Sequence, residues 1–337
     1  MSESWNSRNE GALSPIGYTG KLPAFGDFVR SNVSSPAAKV FEQWLSEGLA
    51  QFPARVGNGW EKSFDAGQNF GFAVNGGDPN SFLVGLSIPS RDRGGRRYPF
   101  SLFSAAQAGP EGELFFLLPV AFGLFLEKAR QAINESWPSS VDSIYGAKIS
   151  PLVSTLPRYF KDSQQQFESY LEEKTLGDFW RGLFDSFEVP EKYLLLDNLL
   201  KTILPLRRQE AGRFNFALQF PIRGESPGEA GLETAFWIFL CQKILAKPAV
   251  PIQAFWNLSA GPNSGLFLFF RPPEAKFFPY LLMPGLENNF IWNLAGLGKD
   301  KLQKEKLPPG LVKLLDNPDE KLKSLLNVKE WEKQYGG

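Results

Sequence analysis

Between residues 80 and 106 the chain reads NSFLVGLSIPSRDRGGRRYPFSLFSAA, and this stretch narrows the folds open to it more than any other. Residues 82–88 and 98–105 are short apolar runs rich in β-formers, and the segment between them is made of turn residues and charge, so the pattern predicts strand, loop, strand. Pro89 and Pro99 bracket the loop and stop the ladder from running on into it. Inside it, Arg91, Arg93, Arg96 and Arg97 surround a single acid, Asp92, and Gly94-Gly95 supplies backbone freedom for a tight connection. Two readings follow. Each guanidinium is a rigid fork of donors, so the loop suits a carboxylate, a phosphate or an acidic protein surface. Alternatively it is a solvated hairpin in which Asp92 pairs with a neighbouring arginine and fixes the turn.

The neighbouring segments extend this hairpin into a sheet. Residues 69–74 form a further predicted strand, joined to the 80s strand by the turn-forming NGGDPN, which gives an antiparallel meander of three strands. Upstream, GYTGKLPAFGDFVRSNV at 17–33 is too punctuated by Gly20, Pro23 and Gly26 for a helix and reads as a strand with a shaped turn, in which Lys21, Asp27 and Arg30 are the polar exceptions. Asp27 has two readings, turn cap or partner contact. Ser35-Pro36 is a helix start, followed by apolar residues at helical spacing up to Leu49, and a shorter helix is expected at 60–64. Long helices are predicted at 113–133, 139–150, 162–186 (with a break at Gly177-Asp178), 191–203 and 231–245, and a last one near 274–282. Strands are predicted at 214–220, 253–258 and 265–271, the last two forming a second hairpin. The second half thus loosely repeats the strand, helix, hairpin, helix order of the first. The expectation is an α/β (α+β) chain: a mixed, mainly antiparallel sheet with helices on both faces, a layered sandwich. Its divisions are a disordered start at 1–15, an α/β region at 16–135, a second α/β region at 136–298 packed on it, and a charged amphipathic tail at 299–337. In that tail Leu311, Val312, Leu314, Leu315, Leu322, Leu325, Leu326 and Trp331 could dock on the body or enter a groove of a partner, and the first is expected.

Composition removes whole classes of chemistry. The sequence contains no histidine, so Ser-His and Cys-His pairs, a histidine base and imidazole metal ligands are all excluded. Its acids are scattered singly, with no DxD-type cluster, and neither a phosphate-binding loop nor a dinucleotide fingerprint occurs, so no catalytic, cofactor-binding or metal-binding residues are expected. Lys+Arg and Asp+Glu are 36 each, which gives no global pull toward nucleic acid or an anionic membrane. Electrostatic recognition must then be local. The start of the chain has neither the basic nor the apolar section of a signal peptide, and no apolar run approaches the ~18 residues of a membrane span, so cytoplasmic residence without membrane insertion is expected. The one cysteine, Cys241, lies among Phe239, Leu240 and Ile244 and is expected to be a buried, inert thiol.

Several of these stretches together resemble the TagF (ImpM) family of type VI secretion-associated proteins. The resemblance rests on GYTGKLPAFGDFVR at 17–30, on Trp44 and Trp60, on SRDRGGRRYPF at 90–100 and, more weakly, on AFWNLSAGPNSGLFLF at 254–269, and it spans roughly 16–295. In this chain Phe70-Gly71 stands where the resemblance implies a Trp-Arg pair, and Phe255-Trp256 where it implies Trp-Trp. The resemblance implies a bacterial, cytoplasmic, non-enzymatic regulator that represses type VI secretion after translation. It would act by protein-protein interaction with the cytoplasmic forkhead-associated scaffold protein of the apparatus. The partner-binding candidates are Asp27, Arg91, Asp92, Arg93, Arg96 and Arg97. The competing reading is a sensor or enzyme that binds a small phosphorylated ligand at the same arginines. A ligand site would be a closed pocket with converging donors, a protein site an open surface.

Overall fold

A computed structural model describes residues 15–77, 81–109, 112–138, 140–207, 214–224, 226–246, 252–258, 264–298, 304 and 307–327. The expected disordered start lies outside these residues except for Pro15, as do Trp331 and parts of the tail around it.

The chain begins with β1 (Gly17–Gly20) and β2 (Val29–Ser31), followed by α1 (Pro36–Val56) and α2 (Trp60–Asp65). The Ser35 hydroxyl accepts the Ala38 amide at 3.2 Å and Pro36 sits in the first turn, so α1 starts where the sequence placed it. Next come β3 (Phe70–Asn75), β4 (Ser81–Ile88) and β5 (Phe100–Gln107), which form the expected meander, each within a residue or two of its predicted limits. The helix expected at 113–133 is broken: a 3-10 turn at Phe115–Leu117 leads into α3 (Leu118–Ala121) and α4 (Gly123–Asn134). Pro119 supplies no amide and fixes its own φ, so it starts a helix better than it sits inside one. Residues 142–153 form α5 (Asp142–Ile144), a π turn at Tyr145–Ile149 and α6 (Ser150–Val153).

Two helices, α7 (Lys161–Glu173) and α8 (Leu176–Phe184), replace the single one expected at 162–186. The break falls at Lys174-Thr175 rather than at Gly177-Asp178, because the Thr175 hydroxyl caps α8 by accepting the Asp178 amide at 3.1 Å. Then follow α9 (Glu191–Ile203), which has the predicted limits, β6 (Ala217–Pro221) and α10 (Pro227–Leu245). α10 is apolar nearly all round and is capped by Ser226, whose hydroxyl accepts the Glu229 amide at 3.1 Å. The second hairpin is β7 (Gln253–Asn257) and β8 (Gly265–Phe269), and α11 (Phe278–Leu282) follows a 3-10 turn at Ala275–Phe277. β9 (Ile291–Asn293) was not expected from the sequence; at three residues it carries too little periodicity to be read. The tail contributes α12 (Pro309–Leu315) and a 3-10 turn at Leu322–Leu326.

The nine strands lie in one sheet in the order β2-β1-β5-β4-β3-β7-β8-β6-β9, antiparallel except where β6 pairs with β9. Strands of the two halves meet at β3 and β7, in the register Gly71↔Trp256 and Phe72↔Phe255. Alternation along β3 sends Phe70, Phe72 and Val74 to one face and Ala73 to the other. Under the first face, α1, α2 and α11 close a core rich in phenylalanine, including Phe41, Phe52, Phe64 and Phe278. Over the other face, α4, α8, α9 and α10 build the larger core around Trp180 and Trp237. Cys241 is fully buried there, and burial pushes its thiol well above the usual range, in line with an inert role. Gly71 has a packing reason: a side chain there would stand 2.5 Å from the Trp256 indole, so the glycine is the space the tryptophan occupies.

The described part of the tail docks on the body. Leu311, Leu315, Leu322 and Leu325 are completely buried in the larger core. Between them the chain crosses the α7–α8 joint, where the Leu176 amide donates to the Glu320 carbonyl at 2.7 Å, Gly177 to Pro318 at 2.8 Å and Leu322 to Lys174 at 2.9 Å. No helix among the described residues is long and apolar enough to cross a membrane.

Candidate functional site

The β4–β5 connection folds around Asp92. Its carbonyl accepts the Gly95 amide at 2.9 Å, its amide donates to the Arg96 carbonyl at 3.0 Å, and Arg91 pairs with Arg97 across the stem. Gly95 takes the left-handed φ of 83° that this turn demands. The Asp92 carboxylate is turned inward and almost wholly removed from solvent. One oxygen accepts the Arg96 amide at 2.9 Å; the other takes Arg96 Nε at 2.7 Å and the ammonium of Lys21, from the end of β1, at 3.1 Å. Burial alone would raise this carboxyl, but the Arg96 amide, Lys21 and the Arg96 guanidinium outweigh it and bring its pKa down to about 2.

A second loop, between β1 and β2, is stitched to the first. The Arg93 amide donates to the Phe25 carbonyl at 2.7 Å, and Arg96 Nη2 donates to the Gly26 carbonyl at 2.6 Å. Arg97 turns away to α2, where it meets both Asp65 oxygens, at 3.0 and 2.7 Å, and the Glu61 carbonyl at 3.1 Å. Asp27 is exposed and accepts the Phe28 amide at 2.8 Å, so it does cap its turn.

The structure therefore gathers Asp27, Arg91, Asp92, Arg93, Arg96 and Arg97 into one pair of adjoining loops and gives them different tasks. Asp92 lies beneath the surface and organises it. Arg96 and Arg97 are largely committed to internal acceptors, although the Arg96 side chain stays 62 % exposed. Arg91 and Arg93 are exposed and have no side-chain hydrogen bond or ion pair among the described residues. Phe28 joins this surface and was missed from the sequence. It is 45 % exposed, held edge-on by Tyr98 at 4.7 Å, with the Lys21 ammonium 5.1 Å from its ring centre. Phe28 precedes β2, which begins at Val29, so no strand alternation marked it as outward.

This two-loop surface lies within the part of the chain that comparison with known families picks out. Residues 17–144 match the TagF N-terminal domain, type VI secretion system-associated. The TagF N-terminal domain so defined holds β1 to β5, α1 to α4 and every residue of the two loops. It bears out the expected resemblance over residues 17–144, a domain described as type VI secretion system-associated. Among solved structures, the chain is similar to PA0076 from Pseudomonas aeruginosa PAO1, at 16% identity and a TM-score of 0.45, over 81% of this chain and 96% of that one. No curated protein matches.

Proposed function

We propose that this chain is a post-translational repressor of type VI secretion, acting in the cytoplasm by binding the forkhead-associated scaffold protein of the apparatus rather than by catalysis. The match of residues 17–144 to a type VI secretion-associated domain carries this reading. Two further observations support it. The chain has no histidine, which removes the commonest bases and nucleophile partners. In the TagF-like part Arg91 and Arg93 are exposed, while the forks of Arg96 and Arg97 bond to internal acceptors instead of converging on a small ligand.

The test is genetic and biochemical. Deleting the gene should raise secretion of the type VI tube protein, overproduction should lower it, and the purified chain should bind the scaffold from the same organism. Unchanged secretion in both strains, or no binding between the purified proteins, would overturn the proposal.

A further inference from the structure

We infer that the two-loop surface of Phe28, Arg91 and Arg93 is where the partner docks, and that it receives an acidic protein segment carrying an apolar side chain. The inference rests on the scaffold-binding reading above and adds to it a surface and a chemistry.

Four observations carry it. First, the surface is built rather than loose: two separate connections are joined through the Arg93 amide to the Phe25 carbonyl and through Arg96 to the Gly26 carbonyl. Asp92, fully enclosed, takes Arg96 and Lys21 from below. A partner meeting such a surface loses little to ordering it. Second, Phe28 is held outward. Tyr98 supports one edge of its ring, and the Tyr98 hydroxyl is itself tied to Ser46 of α1 at 2.8 Å, so the support is anchored in the body. An exposed aromatic fixed in this way is the kind of anchor that protein interfaces bury.

Third, the charge around the ring is one-sided. The Arg93 guanidinium lies over Gly26, 3.3 Å from the place a side chain there would take, two residues before Phe28. Arg91 and Arg93 are unpaired among the described residues, and Arg96 keeps an exposed edge. The exposed acid, Asp27, already spends one oxygen on the Phe28 amide. The whole chain has a formal charge of zero, so this local excess of cations is not inherited from a basic protein. Fourth, the exposed ring and the exposed arginines lie on two loops that are bonded to each other, with the Arg93 guanidinium beside Gly26. Carboxylates of an extended acidic segment reach the arginine forks while an apolar side chain of that segment covers Phe28. A lone small anion would use the forks and leave the aromatic bare.

The experiment measures binding of the purified full-length chain to the purified scaffold by calorimetry at low and moderate salt. Arg91→Glu combined with Arg93→Glu should weaken binding at least about tenfold, and Phe28→Ala about tenfold, while Lys128→Glu on α4, against the opposite face of the sheet, should leave it unchanged. Binding to the wild-type chain should weaken as salt rises. Arg91 and Arg93 make no side-chain hydrogen bond or ion pair among the described residues, so their variant should keep the wild-type circular dichroism and melting temperature, whereas Phe28→Ala gives up its contact with Tyr98 and should keep the circular dichroism with a small fall in melting temperature. Wild-type binding that survives in both variants overturns the assigned surface and leaves the repressor reading standing. No binding by the wild type overturns both. Titration with inorganic phosphate alone separates the remaining possibility: saturable phosphate binding that Arg93→Glu abolishes would mark a small-anion site and overturn the docking of a protein segment.

Discussion

Leu325→Ala tests whether the tail is part of the fold. Leu325 is completely buried in the core that α8, α9 and α10 build, although it lies only a few residues from the end of the described chain. Removing its side chain beyond Cβ forfeits the transfer free energy of the lost methyl groups and leaves a cavity, together about 2–5 kcal/mol for a buried leucine. The 3-10 turn that carries it is short, so some collapse is open to it, and the lower half of that range, about 2–3 kcal/mol, is expected. For a chain of 337 residues, with an unfolding entropy of about 2.1 cal/mol/K per residue, that corresponds to a fall in Tm of roughly 3–4 °C. Urea denaturation followed by tryptophan fluorescence should show the midpoint drop with little change in slope. Lys323→Ala is the control: its ammonium meets Glu172 on an exposed face, and losing that pair should cost under about 1 kcal/mol. The competing expectation was that these leucines serve a partner's groove. If Leu325→Ala melts within about 0.5 kcal/mol of wild type, the reasoning fails and the tail is held by something other than its leucines.

Asp92→Asn should destabilise the chain at neutral pH and lose its effect in acid. The folded-state pKa lies below the ordinary value, so the stabilisation is fully present above pH ~4 and fades as pH falls toward about 2; urea midpoints of wild type and variant at pH 7, 5, 4 and 3 should converge over that window. Lys192→Met on α9 should stabilise by about 1–3 kcal/mol at neutral pH, because the lysine is fully buried and its ammonium has no hydrogen-bond partner among the described residues, with the rings of Phe187 at 3.4 Å and Tyr193 at 5.1 Å beside it. Burial lowers this lysine's pKa, so the penalty of burying the charged form lifts as pH rises, and the Tm gap between variant and wild type should narrow toward pH ~10.

What could be read in advance divides along local and non-local lines. The β4–β5 hairpin, the Ser35 and Ser226 caps and the limits of α9 depend on residues close in sequence, and the first and last of these came out nearly residue for residue. Ser226 was passed over, and α10 accordingly begins a turn earlier than expected. The α7–α8 break was local as well, since Thr175 caps α8 by accepting the Asp178 amide three residues on, a signal passed over in favour of Gly177-Asp178; only the bridge from Thr175 to Lys321 lies outside any window around residue 175. The same holds at the loops. That arginines surround Asp92 was visible, and so was a pairing between Asp92 and a neighbour. Which cations face inward was not, because Lys21 reaches Asp92 from another strand, Asp65 draws Arg97 over to α2, and Gly26 takes a donor of Arg96. The outward Phe28 is the counterpart of that sorting: side chains left over after the interior is satisfied make the surface.

The pairing of β3 with β7 separates what matches a known domain from what is able to fold. The family boundary at residue 144 divides the sheet between these two strands, because one belongs to the matched part and the other does not. A fragment cut there would end with a six-residue strand whose outer row of amides and carbonyls has lost its mates, and with a groove at Gly71 where the Trp256 indole had been. Such an edge recruits whatever strand it meets, including another copy of itself. A fragment of this kind would stick to partners, and the stickiness would be a property of the cut.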